Sequence, residues 1–166
     1  FVRFALGAAV FSSFIFIKYD VKKPSISDIS RYTLISLSMV GYFFAMFYAL
    51  RFTSAVNTGL IIVTVPLFTT VFGMILLKEF PGAYKIGILL VTMIGYVWVL
   101  ADGNINGLMT LRLNFGDLVF LAGCLSIGLY PVLTKLLAKG EPTPVLTFWT
   151  LATGAVVLGA LSNKQI

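Results

Sequence analysis

The chain has 166 residues, 59% of them hydrophobic and 11% charged, with 12 Lys and Arg against 6 Asp and Glu for a net charge of +6. A water-soluble domain carries roughly 25% charged residues, so this composition excludes one and points to an integral membrane protein in which the basic residues orient short loops and do not bind nucleic acid. With no histidine and one cysteine, Cys124, zinc ligation and Ser–His or Cys–His catalysis lack raw material, so neither an enzyme nor a metal or cofactor is expected, and no disulfide can form within the chain.

Six apolar segments are bordered by charges, prolines and glycines. The first runs from about Phe1 to Ile17, the second from Tyr32 to Leu50, the third from Ala55 to Leu77, the fourth from about Gly82 to Ala101, the fifth from Phe115 to Leu137 and the sixth from Pro144 to Leu161. Each has about 16 to 23 residues, enough to cross a bilayer with some tilt. The stretch Lys18–Arg31 reads as a solvated loop, and the turn-forming Asp102-Gly-Asn-Ile-Asn-Gly107 reads as the start of a seam between two halves. The chain opens on Phe1, Arg3 already stands in an apolar segment, and Ser162–Ile166 follow directly on another; an internal piece of a longer protein is expected.

Alternating the spans places Lys18, Lys22, Lys23, Arg31, Lys78, Lys85, Lys135 and Lys139 on one side, against Arg3, Arg51, Arg112 and Lys164 on the other. Eight against four assigns the first side to the cytoplasm. Lys22 and Lys85 should then be cytoplasmic and Asn104 should lie on the opposite face. Phe1-x5-Gly7-Ala8 in the first segment echoes Phe148-x5-Gly154-Ala155 in the sixth, and repeats of opposite orientation are common in transporters.

The third segment is the least lipid-like. Between Ala55 and Leu77 it carries Asn57, Thr64, Thr69, Thr70, Gly59, Gly73 and Pro66, residues tolerated at membrane depth where protein or a watery cavity surrounds them. Ser54, Asn57 and Thr64 fall at helical spacings of three and seven, hence on one face, with Ser54 a natural N-cap. Asn57 and Thr64 are candidate solute contacts, with Tyr42, Tyr130 and Trp149 as candidate aromatic walls. Hydrogen bonding to a neighbouring helix is the competing role for Asn57, and interfacial anchoring is that for Trp149. Pro66 and Pro131 are candidate kinks or hinges. Ser38, Gly41, Ala45 and Ala49 form a stripe that lets another helix approach closely, and Asp117, three residues after Asn114, has the spacing of N-terminal capping.

Ala49-Leu-x-x-Thr53-Ser54-Ala55, Pro66-Leu-Phe, Leu77-Lys-Glu79, the pair Gly87 and Gly95, Phe1-Val-Arg3-Phe and Gly116-Asp117-Leu118 together resemble, in order and spacing, the EamA-type transporters of the drug/metabolite transporter superfamily. The resemblance covers essentially the whole chain. It implies an all-α, polytopic transmembrane helix bundle of ten helices built as two inverted five-helix repeats, of which six are visible here. Residues 1–101 would hold helices two to five of the first repeat, 102–114 the inter-repeat loop, and 115–166 the first two helices of the second. The implied function is a permease in the cell (inner) membrane that exports or exchanges a small organic metabolite, such as an amino acid, by alternating access. A channel-like facilitator and a non-transporting structural subunit are the alternatives.

Overall fold

The computed structural model describes residues 2–19, 24–100, 103 and 114–162, and every regular element among them is helical. In chain order they are α1 (Val2–Lys18), α2 (Ile26–Ala49), α3 (Ala55–Ile61), a 3-10 turn (Ile62–Thr64), α4 (Val65–Phe72), a π turn (Gly73–Leu77), α5 (Ala83–Leu100), α6 (Phe115–Leu137) and α7 (Thr143–Ser162). Four stretches are long and apolar enough to cross a membrane: Ile26–Ala49, Asn57–Leu77, Phe115–Leu137 and Thr143–Ala160. Ala83–Val99 is a shorter apolar helix. All six expected segments are therefore helical. Lys22, Asn104 and the expected seam at 102–114, apart from 103 and 114, lie outside the described residues.

Two expectations need correction. The stretch before Arg31 is not all loop, because α2 begins at Ile26. Ser25 and Asp28 explain the earlier start: the Ser25 N–H donates to Asp28 Oδ2 at 3.1 Å, placing a carboxylate at the positive end of the helix. The third segment is not one α-helix either. It tightens to 3-10 geometry at Ile62–Thr64 and widens to π geometry at Gly73–Leu77. Pro66 accounts for the first change. It stands in the opening turn of α4, where its missing N–H costs least. The second change ends on Lys78, whose left-handed backbone (φ 55°) lets the Lys78 N–H reach back to the Gly73 carbonyl; the Glu79 N–H donates to the same oxygen at 3.3 Å.

The chain divides into two compact units, Phe1–Val40 with Leu133–Ile166, and Gly41–Val132. In the first, α1 packs along α7. Both glycines of the sequence echo lie at that contact: a Cβ on Gly7 would be 3.5 Å from Leu151, and one on Gly154 would be 2.9 Å from the Phe4 ring. Ile15, Val145 and Phe148 form the buried cluster beneath them.

In the second unit α6 is the packing centre. Tyr42, Ala49, Ile61, Phe120 and Cys124 make its buried cluster. The small-residue stripe of α2 meets glycines of α6: a Cβ on Gly123 would be 2.8 Å from that of Ala45, and one on Gly116 would be 2.8 Å from the Ala49 carbonyl oxygen. Close backbone approach of this kind is how helices gain contact in a solvent as apolar as themselves. By contrast, α5 leaves Tyr84, Val91, Ile94 and Trp98 exposed.

Candidate functional site

The N-terminal end of the third segment is built as its sequence predicts. Ser54 has extended backbone and its hydroxyl accepts the Asn57 N–H at 3.1 Å, satisfying one donor that the first helical turn leaves free. Asn57 is half-buried, one turn in. Its side chain has no hydrogen-bond partner among the described residues, so no interhelical bond to a described helix claims its amide.

Thr64 is placed differently. It is buried, and its hydroxyl donates to the Ile61 carbonyl at 2.7 Å within its own chain segment. The Cys124 thiol of α6 lies 3.9 Å from that same carbonyl oxygen. The two residues are offset from the alignment that a uniform α-helix would give them. Three residues at 3-10 pitch advance the helix phase by roughly 60° more than α pitch does, which turns Thr64 toward α6.

The aromatic candidates separate as well. Tyr42 is buried against Phe43 and Phe120, with ring centroids 5.2 and 5.9 Å away. Tyr130 is half-buried in α6, one residue before Pro131, through which α6 continues as a single helix. Trp149 belongs to the other unit, where it stacks on Tyr32 at 6.3 Å and 9° and meets Phe148 edge-on at 5.0 Å. Asn57, Thr64, Tyr42 and Tyr130 fall in one unit and Trp149 in the other.

Asp117 caps α6. The Asp117 N–H donates to Asn114 Oδ1 at 2.8 Å, and the Asn114 N–H donates to Asp117 Oδ2 at 3.0 Å, a reciprocal capping pair. The Thr53 hydroxyl completes the set, donating to Asp117 Oδ1 at 2.6 Å. Asp117 is 4% exposed, and these partners occupy both its oxygens.

Sequence reading missed two polar contacts. The Thr69 hydroxyl of α4 donates to the Gly128 carbonyl of α6 at 3.1 Å, where a Cβ on Gly128 would be 2.9 Å from that of Phe68. Gly128 is three residues before Pro131, so its carbonyl lies in the turn whose bonding that proline weakens; the Gly128–Pro131 spacing was the available signal. The other joins the start of α2 to the turn between α6 and α7. Arg31 is buried, donating to Asp28 at 2.9 Å, to Glu141 at 2.5 Å and to the Leu137 carbonyl. The Asp28–Arg31 spacing is legible, but a partner 110 residues away is not. The Arg31 guanidinium, aided by the Lys139 N–H, holds the Glu141 carboxyl down to about 2 from its ordinary 4.5.

Length, hydropathy and helical architecture define the class: an all-α, multi-pass integral membrane protein. The EamA-like transporter family matches residues 1–101, and the chain belongs to that family. Relatives include "Uncharacterized transporter YyaM" of Bacillus subtilis (strain 168), 30% identical over 162 residues, which cover 96% of this chain and 53% of that protein. "Uncharacterized transporter YoaV" of the same organism is 29% identical over 158 residues, or 95% and 53%. An "Uncharacterized transporter" of Archaeoglobus fulgidus is 27% identical over 160 residues, or 95% and 54%. The chain thus spans about half the length of the curated relatives it matches. No solved structure matches it.

Proposed function

We propose that this chain is part of a longer permease of the cell membrane that exports or exchanges a small organic metabolite, such as an amino acid. The mechanism is alternating access, in which two inverted five-helix repeats rock about a central site. Residues 1–101 supply four helices of the first repeat and 115–166 two of the second, joined by the loop between them. The observation that carries this reading is Asn57: a half-buried amide at the N-terminal end of a membrane-crossing stretch, its side chain bonded to no described protein group. A polar side chain in that position is costly unless water or solute meets it. Thr64, Tyr42, Tyr130 and Trp149 are assigned to the walls around the path, and Pro66 and Pro131 to the points where the helices flex. Family membership supports transport over a structural subunit, and the absence of histidine leaves little scope for an enzyme.

The direct test is solute flux in proteoliposomes of the full-length protein, screened with amino acids and other small polar metabolites. Saturable exchange of one such class is expected. Flux that rises linearly with concentration would favour a channel-like facilitator, and no flux of any solute would favour a structural subunit.

A further inference from the structure

The charged cluster at the start of α2 has a composition and connectivity that packing alone does not call for. It holds two acids and two bases, Asp28, Arg31, Lys139 and Glu141, all within one compact unit. Asp28 accepts from Arg31 at 2.9 Å and from Lys139 Nζ at 3.0 Å. Glu141 accepts from Arg31 at 2.5 Å, from the Tyr32 hydroxyl at 3.2 Å and from the Lys139 N–H at 2.7 Å. Arg31 also donates to the Leu137 carbonyl, so a cation closes the negative end of α6. One buried guanidinium therefore ties α2 to the end of α6 and to the turn that leads into α7.

We propose that this cluster is an ionic latch between the two repeats, closed in the state described here and parted in the opposite state of the transport cycle. The proposal rests on the permease reading, which puts α2 in the first repeat and α6 and α7 in the second. Three features favour a latch over a static brace. First, the cluster bridges elements more than 100 residues apart in sequence, at the helix ends, where rocking of one repeat against the other produces its largest displacement. Second, its charges sum to zero, so the same four groups can pair when closed and hydrate when open without leaving net charge behind. Third, Arg31 Nε is buried and has no hydrogen-bond partner among the described residues. A buried ion pair that leaves a donor unmet adds little to a fold that never opens, yet it can set the balance between two states.

The test reads conformation rather than flux. Ser36, fully buried one turn deeper on α2, is replaced by Cys in the full-length protein with its other cysteines removed. The rate of maleimide labelling is then measured in nanodiscs, alongside the melting temperature. With the latch intact, labelling should be slow. Glu141→Gln, which keeps shape and removes charge, should raise the rate ~10-fold, and Lys139→Gln, which removes only the exposed outer link, should raise it ~3-fold, within the usual range of conformational coupling. Unchanged rates per folded molecule in both variants would overturn the latch and make the cluster a brace. Should Glu141→Gln not fold, Lys139→Gln decides alone: a raised rate supports the latch and an unchanged rate refutes it. Because labelling needs no solute, a shift without any flux would sink the permease reading and leave a two-state cluster standing. Normal flux with unshifted labelling would do the reverse.

Discussion

Gly116, Gly123 and Gly128 of α6 each sit where an added Cβ would come within 3.0 Å of a neighbouring atom, whereas the same atom on Gly59, Gly73, Gly87 or Gly95 would meet nothing within 4 Å. One residue type thus serves two regions of the same unit in opposite ways. In α6 the missing side chains are filled by Ala49, Ala45 and Phe68, and helix contact comes from backbones drawn together. Between residues 59 and 95 the small residues accompany an amide, Asn57, that no described group engages. The first region is finished as it stands. The second presents small and polar residues to surroundings that the described chain does not supply.

The sharpest way to break this contrast is to put a methyl group on each kind of glycine. Gly116→Ala would drive Cβ to 2.8 Å from a backbone carbonyl oxygen, and Gly123→Ala would drive it to 2.8 Å from Ala45 Cβ. Each should cost about 1–3 kcal/mol of stability, the usual range for overpacking, measured as unfolding in detergent of the full-length protein. Acid acts at the other end of α6. Glu141 is held at about 2 in the folded protein against 4.5 when free, so its contribution is complete above about 4.5 and is lost as pH falls from there toward 2. Asp28, which shares Arg31 and Lys139 with it, is also held below its ordinary value, chiefly by Lys139, so its own contribution fades as pH falls below about 3.8. A pH series should show a loss on the order of 1 kcal/mol from Glu141 over that window, and Glu141→Gln should show a smaller total loss than the unaltered protein. Thr69→Val removes a hydrogen bond between α4 and α6, worth about 0.6 kcal/mol, and should leave flux per folded molecule measurable. Smallest, and opposite in sign, Gly87→Ala and Gly95→Ala should leave stability unchanged or raise it by up to ~1 kcal/mol through helix propensity. A loss larger than that would place an unseen helix against α5.

The legible part of this molecule was the part governed by local chemistry. Hydropathy placed all six helices because only helices and closed barrels satisfy their backbones in lipid. Ser54 and the Asn114–Asp117 pair were readable as caps since their bonds span three residues. The α2 stripe was readable as a contact face, but its partners Gly116 and Gly123 were not, because pairing of distant helices leaves no periodic trace. The common face assigned to Asn57 and Thr64 assumed uniform pitch from one to the other, and the 3-10 turn at Ile62–Thr64 skewed it. Arg31 read as a loop charge because Glu141, its partner, stands 110 residues away. For the same reason the stacking of Trp149 on Tyr32 was not legible, since the two stand far apart in sequence.

The central claim is that Asn57 meets the transported solute and does not serve to hold helices together. The measurement that decides it is the initial rate of transport in proteoliposomes of the full-length protein carrying Asn57→Leu, taken with the melting temperature of the same preparation. Leu keeps similar bulk and removes both a donor and an acceptor. The account predicts that transport falls, or apparent KM rises, by at least ~10-fold, about the worth of one hydrogen bond, while the melting temperature stays within the small change of an unbonded site, about 0.5 kcal/mol. Normal kinetics in Asn57→Leu, or a rate that falls only as far as the folded fraction does, would contradict it.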